Sequence, residues 1–136
     1  MSKLQQFLLN NNVNEITEEV IISDRFKDEN GELMKFKIKT VPAGEHANIQ
    51  NVCSRVDKKG KLNFNSKLYS EEIITNYCLE PNFKDAEFIK GAGCTNSSQL
   101  INKVLLAGEI TTLTEEILSL SGFNKDLDAL REEAKN

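Results

Sequence analysis

The six residues "MKFKIK", Met34 to Lys39, constrain the fold of this 136-residue chain more than any other stretch. Met34, Phe36 and Ile38 alternate strictly with Lys35, Lys37 and Lys39. Successive side chains of a strand point to opposite faces, so the pattern fits a strand with one face in an apolar core and one in water. Upstream, Val20, Ile22 and Phe26 supply a second apolar face, interrupted by Asp24. "DENG" joins the two runs, and its Asn30-Gly31 pair tolerates the positive φ of a tight turn. The expectation is a β-hairpin over residues 15–41, its lysines on a solvated face.

On either side of the hairpin the apolar spacing turns helical. "MSKLQQFLLNN" places Leu4, Phe7 and Leu8 on one side of a short amphipathic helix, and the asparagines after it read as a polar linker. Such a helix is either a core element or a docking arm. Pro42 suits the first turn of a helix whose loose stripe is Ala47, Ile49, Val52, Cys53 and Val56. "DKKGKLNFN" reads as a turn with a short extended piece. "SKLYSEEIITNYCLE" is a strong helix carrying Tyr69, Ile73, Ile74, Tyr77 and Cys78, with Glu71 and Glu72 near its positive end.

Pro81 then breaks the pattern, because the residue before a proline is pushed out of helical geometry. Asn82 caps the next expected helix, "FKDAEFIK", with Phe83, Ala86 and Phe88 inward and Gly91 and Gly93 closing it. "CLEPNFKDAEFIKGAG" is thus expected to be a helix–joint–helix corner. A further helix runs from Ser97 or Ser98 to Gly108. Another begins at the Thr112/Glu115 capping-box spacing, buries Leu113, Ile117 and Leu120, and stops at Gly122. "KDLDALREEAKN" closes the chain as a polar helix. The sum is an α+β fold, an N-terminal β-hairpin followed by a bundle of short α-helices. The length suits one domain over residues 1–136, with 1–14 as helix and linker, 15–41 as hairpin and 42–136 as the helical part.

The residues for chemistry are sparse. A single histidine, His46, and no Cys-x-x-Cys pair argue against a metal site, and His46 reads as a surface residue. Cys94 in "GAGCTN" lies among glycines, but a nucleophile needs a base, and the spacing brings none to it. The reading there is a small buried thiol near a helix start. The three cysteines are odd in number and widely spaced, as expected of reduced thiols in a cytoplasm. Adjacent carboxylates at 18/19, 71/72, 115/116 and 132/133 diverge around a helix and read as solvated or dipole-complementing positions. "GAG" lacks the strand before it and the lysine after it that a phosphate loop requires. A net charge of −4 with dispersed lysines argues against nucleic acid. No apolar run reaches membrane-spanning length, and no signal peptide is visible. No catalytic residue, metal or cofactor is expected.

Four segments, in order, resemble one family. "EVIISDRFKDENGELMKFKIKTV" resembles the opening hairpin of the XkdN-like phage tail assembly chaperones. "CLEPNFKDAEF" resembles their central Pro-Asn joint, "KVLLAGEITTLTEEILSLSGF" their later helix pair, and "LDALREEAKN" their acidic tail. The chain departs from the family where "GEITTL" follows Ala107 in place of a usual proline, and where "GAGCTN" replaces a more apolar loop.

The resemblance implies a small protein of contractile-tailed phages, prophages or phage-tail-like bacteriocins. It would work in the bacterial cytoplasm and be absent from the finished particle. Such chaperones are taken to bind the tape measure protein, a long helical chain that sets tail length, until the tube polymerises around it. The tail tube protein is a second candidate partner. Helix-in-groove docking is the expected mode. The candidate partner-binding residues are Phe7 and Leu8 on the first helix, and Leu105, Leu106, Ile110 and Phe123 around the late helix pair; for the late group, burial in the chain's own core is the competing reading. A structural tail component retained in the particle, and a small enzyme built on Cys94 or a carboxylate cluster, are the alternatives. Oligomeric state is not legible.

Overall fold

A computed structural model of the chain describes residues 1–124 and 127–135. The hairpin expected from the alternation is present. Strand β1 (Thr17–Val20) runs antiparallel to β2 (Phe36–Lys39), with Val20 opposite Phe36 and Thr17 opposite Lys39. Phe36 and Ile38 are buried, whereas Met34, just before the strand, is exposed. The excursion between the strands, residues 21–35, has the expected turn at its tip. Gly31 adopts φ +78°, its N–H donates to Asp28 O at 3.0 Å, and Asp28 Oδ1 accepts from Asn30 N and Glu32 N. A residue with a Cβ is strained at that φ, which is why glycine stands there.

The sheet has a third strand that the sequence did not announce. After α2 (Ala43–Cys53) and α3 (Ser66–Tyr77), residues Cys78–Glu80 leave the helical path and form β5, antiparallel to β2. The order is β1-β2-β5, with β2 central. The expected helix–joint–helix corner is therefore helix, strand, turn and helix. Asn82 does not cap the next helix; its side chain accepts from Lys84 N at 3.0 Å and shapes the turn. Helix α4 (Ala86–Gly91) begins one turn later, capped by Asp85, and Ala86 faces solvent. Phe83 is fully buried.

A second hairpin interrupts the helical part. Val56 was expected on the stripe of α2; instead the helix stops at Cys53, and β3 (Ser54–Val56) pairs antiparallel with β4 (Leu62–Phe64). Their turn repeats the wiring of the first: Gly60 at φ +79°, and Asp57 Oδ1 accepting from Lys59 N and Lys61 N. Those backbone donors, with Asn63, hold the Asp57 carboxyl below its usual range.

Helices α5 (Ser97–Val104) and α6 (Ala107–Leu120) complete the core. Asn96 rather than a serine caps α5, accepting from Gln99 N at 2.8 Å. Gly108 does not stop a helix; it lies in the first turn of α6, which starts five residues before Thr112. Leu100, Ile101, Leu113 and Ile117 meet Ile73, Ile74 and Tyr77 of α3 and Ile38 of the sheet in one buried cluster. Glu71, dipole-complementing or solvated on the sequence reading, is buried. It accepts from Ser98 Oγ at 2.8 Å and from Asn102 Nδ2, with Lys67 Nζ at 3.4 Å, and so ties α3 to α5. Removing it breaks the link between α3 and α5, so Glu71→Ala is expected to cost about 2 kcal/mol in urea unfolding, and Glu71→Gln less.

Two helices stay outside this core. Helix α1 (Lys3–Asn10) and helix α7 (Leu127–Lys135) bury no residue. The expected terminal helix began at Lys125, but residues 125 and 126 lie outside the described part of the chain.

Candidate functional site

Helix α1 is held by its own local bonds. Ser2 Oγ accepts from Gln5 N at 3.1 Å, and Gln5 Oε1 accepts from Ser2 N at 2.7 Å, a reciprocal capping box. Phe7 (59% exposed) and Leu8 (63%) stand in solvent with Leu4 and Leu9. A helix of this length gains most of its stability from tertiary packing of an apolar face, and among the described residues this one has no side chain buried.

The late group is divided. Leu105 is buried in the core cluster, Ile110 packs against it from a half-buried position, and Leu106 (59%) and Phe123 (43%) are exposed. Phe123 is not isolated: its ring lies 5.2 Å from that of His46. His46 is correspondingly half-buried rather than a plain surface residue, sharing a 2.6 Å hydrogen bond with the Tyr69 hydroxyl. Leu105 reaches the surface by another route. It lines an apolar groove of about 390 Å³ together with Phe26, Met34, Phe36, Phe83 and Phe88, with Lys35 and Glu80 also in the wall.

An ion pair braces the corner beside Leu105. Arg25 grips Glu109 with two bonds, Nη2 to Oε1 at 2.6 Å and Nε to Oε2 at 3.0 Å, and Nη2 also donates to Val104 O at 2.8 Å. Glu109 Oε1 in turn accepts from Leu106 N at 2.8 Å, the N3-to-N-cap half of a capping box at the start of α6. The Arg25 bonds outweigh desolvation and hold the Glu109 carboxyl at about 2, against an ordinary 4.5. A depressed folded-state value means that the stabilisation is fully present above the ordinary value and is lost as pH falls through the folded one. Glu109→Gln is therefore expected to flatten the decline in melting temperature between about pH 4.5 and 2 relative to the parent, read by thermal unfolding across that range.

The cysteines are free thiols. Burial pushes Cys78 up to about 12 and raises Cys53 as well, which keeps both protonated at neutral pH. Cys94 Sγ faces Ala92 O at 3.8 Å. Among the described residues, no cluster of histidine, cysteine and carboxylate side chains could hold a metal ion, and no helix is long and apolar enough to cross a membrane.

Residues 4–135 match the family of phage XkdN-like tail assembly chaperone proteins. The chain belongs to that family. Two curated relatives come from Bacillus subtilis strain 168. YqbN is 26% identical over 123 residues, covering 87% of this chain and 83% of its own, and the phage-like element PBSX protein XkdN is 26% identical over 125 residues, covering 86% and 82%. The crystal structure of YqbN superposes with a TM-score of 0.71 at 19% identity, covering 91% of this chain and 99% of that one, which shows a shared fold. For a tail assembly chaperone, the exposed apolar helix and the apolar groove are the features of interest. Sequence reasoning named the helix. It missed the groove, which is assembled from residues far apart in the chain, from Phe26 to Leu105.

Proposed function

We propose that this tail assembly chaperone binds the tape measure protein and keeps it soluble until the tail tube polymerises, without catalysis. The observation that carries the reading is α1, a capped amphipathic helix whose apolar residues all face water. A tape measure chain exposes long apolar helical stripes before assembly. Pairing α1 with such a stripe removes apolar surface from water on both sides, at about 25 cal/mol per Å². The groove offers a second, complementary contact in which apolar side chains of a tape-measure helix meet Phe26, Phe83 and Phe88. Two modest contacts suit a partner that must later be handed to the tube. The reading places the protein in the host cytoplasm and outside the mature particle.

The test is co-expression with the tape measure protein encoded nearby, followed by a solubility assay and pull-down. Soluble, co-purifying tape measure only when this chain is present supports the proposal. An insoluble tape measure, with this chain instead found in purified tails, would replace it with a structural role in the particle.

A further inference from the structure

Residues 54–64, the β3–β4 arm, carry Arg55, Lys58, Lys59 and Lys61 against one carboxylate, in a chain of net charge −4. That carboxylate, Asp57, is occupied by the turn it closes and by Asn63 Nδ2 at 3.3 Å. The arm is therefore locally basic. Its ladder is fixed by Asp57 N to Lys61 O at 2.9 Å and Asn65 N to Cys53 O at 2.8 Å, which makes Arg55 and Asn63 the hydrogen-bonded pair between them. The backbone groups of Val56 and Leu62 consequently point off the two outer edges, and both side chains are exposed. A lone two-stranded ribbon is marginal in water, and its open edges are templates for another strand.

Strand β1 is the complementary edge. Residues 13–22 contain Glu15, Glu18 and Glu19 and no lysine or arginine. Thr40 N donates to Ile16 O at 3.1 Å, so by the same alternation the backbone groups of Thr17 and Glu19 point away from β2. Among the described residues, no strand pairs with that side. Ile16 and Ile21 are exposed beside it.

We propose that the basic β3–β4 arm of one copy adds, strand to strand, to the acidic outer edge of β1 in a second copy of this chain. Each copy offers one arm and one edge, so two reciprocal contacts close a two-fold dimer, while a one-way contact continues into a longer assembly. Helix α1, with Lys3 and no carboxylate, has the wrong charge to occupy the arm. Nucleic acid would meet the lysines but leave Val56 and Leu62 with no apolar partner.

Sedimentation velocity of the full chain over a concentration series, in low and high salt, tests this. The expected result is association that weakens as salt screens the charges. Lys58→Glu with Lys59→Glu and Lys61→Glu is expected to weaken it by about tenfold or more. So is Glu19→Pro, which removes only an outward N–H and leaves the β1–β2 ladder intact. Mixing the arm variant with a Glu15→Lys, Glu18→Lys, Glu19→Lys variant is expected to restore it. Should the arm variant lose its far-UV circular dichroism signal, Glu19→Pro reads the same contact from the other side. A monomer at every concentration, association indifferent to these variants, or a monomer that instead retards a DNA duplex in a gel overturns the proposal.

Discussion

Replacing Phe83 with alanine is expected to cost about 3–5 kcal/mol, a large share of the roughly 5–15 kcal/mol that holds a domain together. Phe83 stands in the turn after β5, is fully buried, and lies with its ring 6.0 Å from that of Phe88. Truncation leaves a void at the point where strand, turn and α4 meet. With a urea slope of about 1–3 kcal/mol per molar, the unfolding midpoint should fall by more than about 1 M. Phe83→Leu keeps most of the volume and should cost under about 1.5 kcal/mol. Phe88→Ala, at a half-buried position, should fall between them. A cost within about 0.5 kcal/mol for Phe83→Ala would mean that this corner is surface rather than core.

The double variant Phe7→Ser, Leu8→Ser is expected to abolish capture of the tape measure protein while moving stability by no more than about 0.5 kcal/mol, the usual range for surface positions. Neither side chain is buried in the chain's own fold, so their removal takes nothing from the core. Leu105→Ser is the informative contrast. Leu105 is buried and also lines the groove, so this variant should lose capture and stability together. Retained capture in the α1 double variant would shift the contact to the groove. A large fall in its melting temperature would mean that α1 packs on the core after all.

What the sequence discloses depends on how far the cause of each element extends along the chain. Met34 to Lys39 declares a strand because side-chain alternation is local, and Asp28 to Gly31 declares a turn because the φ requirement is local. Cys78–Glu80 hides its strand because Cys78 continues the helical stripe of Ile74 and is buried either way. Only the open side of β2, forty residues upstream, makes those three residues extended. The β3–β4 arm did leave a signal, since Asp57 and Gly60 repeat the spacing of Asp28 and Gly31 with the same backbone bonds. Gly108 reads as a stop from sequence alone, whereas Glu109 reaching back to Leu106 N marks the beginning of α6. Buried Glu71 and Glu109 were illegible for a simpler reason. Their partners Ser98 and Arg25 stand 27 and 84 positions away, and a carboxylate alone does not say whether it will meet water or a donor. For the candidate site, an amphipathic helix can be read from spacing, but a groove built by five separate segments cannot.

The Arg25–Glu109 clamp also bears on how the chain comes into being. Synthesis at about 5–20 residues per second puts roughly 4–17 s between the appearance of the arginine and that of its glutamate. Strand β5 is likewise made well after β2, so the newborn hairpin waits on the ribosome with Phe36 and Ile38 uncovered. A protein that belongs to a chaperone family thus passes through its own sticky interval, and only a chain translated past residue 109 can lock its first third in place.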